Sequence, residues 1–268
     1  MEITILQYII LGAIQGIAEW LPASSSGTLA LIFTNFFQIT DIQILLKSIL
    51  LLHLGTFFAV IIYFRKDVLE LITALFKYDR AHPETKKILK FIIISTIISG
   101  IIGIIILKTL SSFEDTLLIT GKTITLVIGI LLLITGFLQI KIKNRGIKRP
   151  AHLKTNDSII LGFAQGLASL PVLSRSGITI SALLLKKFDD TSALRLSFLM
   201  SLPIVLLGNI ILNFRQITFS NTAIYGILSA FVFGILTIHI LMKLSRKINL
   251  GYFVLFFAVL MIASAFII

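Results

Sequence analysis

The sequence contains no cysteine, only five prolines and only twelve acidic residues in 268 positions. Without cysteine, disulfide bonds and thiolate metal sites are excluded. Charged residues make up 13% of the chain, whereas an average soluble domain has roughly 25%. The chain is 57% hydrophobic, with a mean hydropathy of +1.03. A soluble core cannot bury so large an apolar fraction, so the composition predicts an integral membrane protein.

Long apolar stretches indicate how often the chain crosses the bilayer. A spanning helix needs about 20 apolar residues, and six stretches reach or approach that length: 44–63, 91–107, 122–140, 196–213, 222–242 and 250–268. Two further apolar segments, 3–34 and 157–185, are broken in the middle by Pro, Ser and Gly. The start of the chain has neither the basic flank nor the small-residue cleavage site of a removable signal peptide, so we expect the first segment to be retained.

The formal charge of +12 is concentrated in the loops between the apolar stretches. Nineteen of the 24 Lys and Arg residues fall in four segments: 65–90, 141–154, 186–195 and 243–247. Basic loops of this kind lie on the cytoplasmic side, so the charge indicates topology and not nucleic-acid binding. With these loops inside, segment 3–34 becomes a hairpin dipping in from outside and 157–185 one dipping in from inside. The expected fold is all-α, with six transmembrane helices and two re-entrant hairpins in a multi-pass protein of the cell membrane.

The two broken segments are repeats of one another. Displacing the sequence by 150 residues aligns 11–28 with 161–178, and eight of eighteen positions are identical. We therefore predict one membrane domain over 1–268, made of two inverted repeats of about 1–140 and 155–268 joined by a basic loop. Interrupted helices at matching places in inverted halves point to a binding site near the membrane midplane, where the breaks meet.

The residues at the breaks are suited to binding an anion. Pro22 ends the first half-helix, and Ser24, Ser25, Ser26 and Gly27 begin the next; the second break has Ser174, Arg175, Ser176 and Gly177. Helix N-termini offer free N–H donors and partial positive charge, which favour phosphate above all. Arg175 adds a full charge with a fork of donors. The alternative is that Ser and Gly only allow close helix packing; the duplication and Arg175 favour the anion site.

Of the twelve acidic residues, only Glu19 lies inside a broken apolar segment. A carboxylate in the membrane is a functional candidate by default, and Gln15 lies one helical turn earlier on the same face. The competing interpretation places Glu19 at the interface beside Trp20 in an aromatic belt. His53, within an apolar stretch, is retained as a weak supporting candidate; His82, His152 and His239 are set aside, because a lone histidine is usually a packing residue.

At these residues the sequence resembles the undecaprenyl-diphosphate phosphatase family, the bacitracin-resistance phosphatases that recycle a lipid carrier. The matching blocks are QGIAEWLPASSSG at 15–27, HLGT at 53–56, SRSG at 174–177 and RLSFLMSLPIVLLG at 195–208. The resemblance runs nearly end to end. Thr28 stands where many family members have histidine, and Pro171-Val172-Leu173 replaces a Pro-Gly-Phe or Pro-Gly-Thr sequence.

The resemblance implies a membrane phosphatase that converts a polyprenyl diphosphate to the monophosphate, with its active site opening to the outer face. Glu19, Ser25 and Arg175 would be catalytic, with Ser25 as the nucleophile. The expected phosphate-binding residues, on the first turns of the second half-helices, are Ser24, Ser26, Gly27, Thr28, Ser174, Ser176 and Gly177. Mg²⁺ or Ca²⁺ is expected to be held by Gln15 and Glu19, because these ions prefer oxygen ligands. One arginine alone would neutralise only part of the negative charge of a diphosphate.

Two other functions are compatible with the same pattern. Inverted repeats with broken helices also build secondary transporters, so the chain could move a polyprenyl phosphate or another anion without hydrolysing it. It could also be an inactive relative that binds the lipid diphosphate as part of a larger assembly. Membrane lipid is an expected partner and nucleic acid is not; a homodimer is left open.

Overall fold

The structure is a computed structural model that describes residues 3–22, 24–39, 41–110, 146–170, 173–213 and 221–267, together with isolated helical positions between 126 and 140. Helices account for nearly all of these residues, and the only β-pairing among them is an isolated bridge between Lys148 and Phe188. The prediction of an all-α chain is therefore confirmed.

The described ranges contain ten α-helices. Two of them begin just after a short break in a longer apolar segment. In chain order they are α1 (Ile5–Ala18), α2 (Ser25–Leu31), α3 (Ile42–Tyr63), α4 (Arg65–Phe76), α5 (Pro83–Leu110), α6 (Thr155–Leu167), α7 (Arg175–Leu185), α8 (Asp190–Asn213), α9 (Asn221–Leu244) and α10 (Leu250–Ile267). A π-helical turn, Ile32–Phe36, extends α2.

Four of these helices, α3, α5, α8 and α9, are long and apolar enough to cross a membrane. They correspond to four of the six predicted spans, so the chain is a polytopic helical protein. The predicted span at 250–268 coincides with α10, an apolar helix of 18 residues. The predicted span at 122–140 lies largely outside the described residues.

Both broken segments are pairs of short helices, as the sequence predicts. In the first, α1 ends at Ala18 and α2 begins at Ser25; in the second, α6 ends at Leu167 and α7 begins at Arg175. Serine caps the N-terminus of the second helix in each pair, because its side-chain oxygen can accept a backbone N–H that has no helical partner. The breaks are therefore encoded locally, by the stopping effect of proline and the capping effect of serine.

One assignment made from the sequence is wrong. The basic segment 65–90 was predicted to be a loop, but it contains α4 and the first two turns of α5. Leu71 and Ala74 of α4 are buried, whereas Arg65 and Lys66 at its start are exposed. Asp67 of α4 and Glu84 of α5 both form ion pairs with Arg195 of α8, so the helix is anchored by tertiary contacts that a count of charges cannot show.

The four basic segments lie together at one end of the helix bundle. Direct contacts connect them: Lys87 Nζ donates to the Ala151 carbonyl at 2.5 Å, the Lys148 amide donates to the Lys187 carbonyl at 3.0 Å, Arg195 pairs with Asp67, and the hydroxyls of Thr191 and Ser245 are 3.2 Å apart. Sixteen Lys and Arg residues lie in the described parts of these segments. The bundle therefore has one strongly basic end.

Small residues on the two broken helices allow unusually close packing. A Cβ added to Gly16 of α1 would lie 2.7 Å from the Ala230 carbonyl oxygen of α9, and one added to Gly162 of α6 would lie 2.8 Å from Ile98 Cβ of α5. Within membranes such contacts are a main source of helix association. Close packing at these glycines therefore holds α1 against α9 and α6 against α5.

Replacing Gly16 with Ala should destabilise the bundle. The new methyl group would meet the backbone of α9, and overpacking of this kind costs about 1–3 kcal/mol. Gly100→Ala on α5 is the matched control, since nothing lies within 4 Å of its added Cβ. Thermal unfolding in detergent should show a lower melting temperature for Gly16→Ala alone. Equal melting temperatures for the two variants would contradict the close α1–α9 contact.

Candidate functional site

The two helix breaks meet inside the protein. Ser176 Oγ at the start of α7 donates to the Leu21 carbonyl at 2.6 Å, and Ser174 Oγ lies 3.2 Å from the same oxygen. A Cβ added to Gly177 would be 3.0 Å from Pro22 Cβ. The second break therefore packs directly on the first, and the N-terminus of α7 lies beside the loop that precedes α2.

Glu19, the residue that ends α1, is at the centre of this meeting point. It is only 6% exposed, and its Oε1 forms an ion pair with Arg175 Nη2 from the other half of the chain. Its Oε2 accepts hydrogen bonds from Ser25 Oγ at 2.8 Å and Gln15 Nε2 at 3.0 Å. A buried carboxylate is tolerated only when it is paired and hydrogen-bonded. The surrounding residues supply both kinds of partner.

The interpretation that places Glu19 in an interfacial belt is wrong. Trp20, the supposed belt residue, is 1% exposed and packs edge-on against Phe198, with ring centroids 5.0 Å apart. The Arg175 guanidinium lies 5.9 Å from the centre of the Trp20 ring, within range of a cation–π contact. Trp20 is thus a core residue that supports Arg175.

His53 is closer to the site than the sequence suggested. Its Nε2 lies 3.3 Å from Glu19 Oε2, and its Nδ1 lies 2.7 Å from the Ile49 carbonyl oxygen one turn earlier on α3. The backbone contact fixes the ring so that the other nitrogen faces the carboxylate. The position of His53 in the sequence, as a lone histidine in an apolar stretch, does not indicate a contact with Glu19. The signal that could have found it is its place in the HLGT block, one of the four stretches that carry the family resemblance.

Serines cap both short helices in the same way. Ser24 Oγ accepts the Gly27 N–H and Ser174 Oγ accepts the Gly177 N–H, each at 3.1 Å. Thr28 Oγ1 donates to the Ser24 carbonyl at 2.8 Å. The predicted phosphate-binding residues therefore lie on the first turns of α2 and α7, where the caps hold the two glycine amides.

The structure brings some of the predicted site residues into direct contact and places others nearby. Gln15, Ser25 and Arg175 all touch Glu19. Ser26 lies half-buried on the first turn of α2. Ser174 and Ser176 contact the first break through Leu21. Within the substituted stretch 171–173, positions 171 and 172 lie outside the described residues.

Three buried polar atoms on residues that contact Glu19 or follow it in the chain have no hydrogen-bond partner among the described residues. They are Arg175 Nη1, Gln15 Oε1 and Trp20 Nε1. Unpartnered buried polar atoms are rare in folded proteins and usually mark a place where a ligand, ion or water belongs. Arg175 Nη1 is a donor and Gln15 Oε1 is an acceptor, so the side chains that touch Glu19 have unused capacity both for an anion and for a cation.

Comparison with known proteins gives one family. A family model described as "Bacitracin resistance protein BacA" matches residues 8–263. The chain is similar to an undecaprenyl-diphosphatase of Methanococcoides burtonii, with 40% identity over 99% of this chain and 100% of that protein. It is also similar to undecaprenyl-diphosphatases of Methanothrix thermoacetophila, 34% identical over 92% of both chains, and of Treponema denticola, 36% identical over 93% of this chain and 92% of that protein.

The Glu19–Arg175 pair should behave as one unit in stability measurements. Replacing either residue with Ala leaves its partner charged and buried, a loss of about 3–5 kcal/mol. The double variant removes both charges, so it should be less destabilised than the sum of the single variants, with a coupling of about 0.5–3 kcal/mol. Unfolding of all four proteins in detergent checks this. Strictly additive effects would show that the two charges do not interact.

Proposed function

Because the chain belongs to the bacitracin resistance protein BacA family, we propose that it is an integral-membrane phosphatase acting on an undecaprenyl-type polyprenyl diphosphate. Hydrolysis yields the lipid monophosphate and inorganic phosphate, which returns the carrier lipid to use. One observation in particular supports this activity: Ser25 Oγ is hydrogen-bonded to Glu19 Oε2 at 2.8 Å, directly beside Arg175. A hydroxyl, a base and a phosphate-binding cation are thus within contact of one another.

The diphosphate would bind at the paired helix starts. Arg175 uses Nη2 for Glu19 and keeps Nη1 without a partner, so the guanidinium can hold the carboxylate and a phosphate oxygen at once. The positive ends of α2 and α7 add to the field at the same place. Phosphoryl transfer passes through a transition state with charge on the outer oxygens, which these fixed donors stabilise. The prenyl tail would stay among lipid and helices.

The proposed chemical step begins with Ser25. Its Oγ attacks the terminal phosphorus, the bond to the bridging oxygen breaks, and the lipid monophosphate leaves. The Ser25 proton passes to Glu19 Oε2, which already accepts its hydrogen bond. Water then hydrolyses the phosphoserine and releases phosphate. His53 and Gln15 hold the same carboxylate oxygen, so they orient the base for both steps.

The site offers few protein ligands for a divalent cation. Among the described residues no group of three or more His, Cys, Asp or Glu side chains is close enough to hold a metal. Gln15 Oε1 is nevertheless a buried oxygen without a partner, next to the Glu19 carboxylate. Mg²⁺ is commonly held by one or two protein oxygens together with substrate phosphates. We therefore propose that Mg²⁺ or Ca²⁺ is held by Gln15 and Glu19 with the diphosphate, whose charge it would neutralise.

The proposed topology is six spans and two re-entrant hairpins, with the basic end of the bundle in the cytoplasm. Clustering of the four basic segments at one end supports this orientation, because positive loops are retained inside. The inverted repeat is supported by packing: the broken helix α1 lies on α9 of the second half, and α6 lies on α5 of the first half. The diphosphate would then enter from the outer face.

Single substitutions of Ser25, Glu19 or Arg175 should strongly decrease the rate of phosphate release. Ser25→Ala removes the nucleophile, Glu19→Ala the base and Arg175→Ala the phosphate-binding charge, so each should lower the rate by at least about 100-fold. The assay measures phosphate released from a polyprenyl diphosphate by protein purified in detergent. Ser95→Ala is the matched control, since Ser95 is a buried serine on α5 whose hydroxyl donates to the Ile92 carbonyl, away from Glu19.

Two results would contradict the proposed activity. One is an unchanged rate in all three variants, which would remove the site. The other is movement of the lipid between leaflets of proteoliposomes with no phosphate released, which is the behaviour of a transporter.

A chelator should suppress phosphate release, and added Mg²⁺ or Ca²⁺ should restore it. Gln15→Ala should raise the metal concentration needed for half-maximal rate by about 10-fold, because it removes one of two protein ligands. Gln165→Ala is the control: it is the repeat counterpart of Gln15, equally buried, and bonds to Ser99 away from Glu19. Full activity in the presence of chelator would remove the cation from the proposal.

A further inference from the structure

A groove of about 350 Å³ lies between α4 and α5, far along the chain from the residues around Glu19. It is lined mainly by Ala74, Leu75 and Tyr78 on one side and by Leu89, Lys90 and Ile93 on the other. Its volume is within the range of pockets that hold small ligands. Lys90 is the one charged side chain among these lining residues, so the groove is apolar apart from a single positive charge.

The groove continues into an apolar strip on α5. Ile93, Ile97 and Ile101 follow at one-turn intervals and are 43%, 56% and 55% exposed. Since α5 is long and apolar enough to cross a membrane, such a strip faces the hydrocarbon. From Lys90 to Ile101 the helix rises about 16 Å, close to half of a hydrocarbon core about 30 Å thick. The groove and strip together have the depth of one leaflet.

The mouth of the groove is at the basic end of the bundle. Segment 77–90 contains five Lys and Arg residues against two acidic ones, Asp79 and Glu84, and Glu84 is already paired with Arg195. Within the described ranges Lys90 has no ion-pair partner, whereas Lys86 Nζ lies 5.2 Å from the centre of the Tyr78 ring. Tyrosines with exposed rings favour the headgroup level of a bilayer. Tyr78 is 48% exposed.

The geometry points to a binding site for an anionic phospholipid in the α4–α5 groove. The lipid phosphate would lie at Lys90, and one acyl chain would fill the groove and continue along Ile93, Ile97 and Ile101. A soluble acidic partner would find the positive charge but would not enter the hydrocarbon along the strip. A phospholipid matches both the single cation and the apolar depth. This site is separate from the proposed catalytic residues and does not depend on the phosphatase activity.

Native mass spectrometry of the full chain in detergent tests the site. The probes are phosphatidylglycerol and phosphatidylcholine with the same acyl chains, and the variants are Lys90→Gln and Lys90→Glu. We expect retention of one phosphatidylglycerol in preference to phosphatidylcholine. Lys90→Gln should weaken that binding about five-fold and Lys90→Glu further, since one basic side chain near a lipid surface contributes about that factor.

Lys247→Gln is the matched control, because Lys247 is exposed at the same basic end but does not line the groove. Its lipid binding should be unchanged, and all variants should keep the unfolding temperature of the lipid-free protein. Equal retention of the two lipids, or equal loss in the Lys247→Gln and Lys90→Gln variants, would overturn the proposal. So would displacement of phosphatidylglycerol by free glycerol phosphate at matched concentration, or a dimer that dissociates when Lys90 is replaced, because either would assign the groove to another occupant.

Discussion

The ion pair between Glu19 and Arg175 is the interaction on which the rest of this molecule depends. Each charge lies in a broken apolar segment where it would be very costly alone, and each comes from a different half of the chain. Together they oblige the two breaks to meet. The hydroxyls of Ser174 and Ser176 at the Leu21 carbonyl complete the junction.

The two repeats can be compared position by position. One pair of identical positions has the same structural role in both halves: Ser24 and Ser174 cap their helices with the same geometry. The proposed nucleophile, base and phosphate-binding cation lie where the halves differ, because Ser25 aligns with Arg175 and Glu19 aligns with Ser169. Duplication therefore supplies two similar helix starts, and divergence at two aligned positions gives one start a serine beside a carboxylate and the other an arginine, the groups to which we assign the proposed chemistry.

Much of this arrangement follows from the sequence, because it is encoded by local or repeated signals. The helix breaks follow from Pro22 and the capping serines, and the meeting of Glu19 with Gln15 follows from a spacing of four residues on one helix. Other features depend on contacts between distant segments. Helix α4 is anchored by Arg195, 128 residues away from Asp67, and His53 reaches Glu19 only through the packing of α3. The spacing of apolar and charged residues along the chain does not indicate such contacts.

The absence of cysteine allows a direct test of the meeting of the two breaks. Pro22→Cys and Gly177→Cys would place two thiols close together, because a Cβ added to Gly177 lies 3.0 Å from Pro22 Cβ and a disulfide joins Cβ atoms roughly 3.5–4.5 Å apart. The structure predicts that mild oxidation of the double variant in membranes forms an intramolecular cross-link, while each single variant stays reduced and monomeric. Two thiols that remain open to alkylation after oxidation would contradict the account, since the breaks would then not face one another.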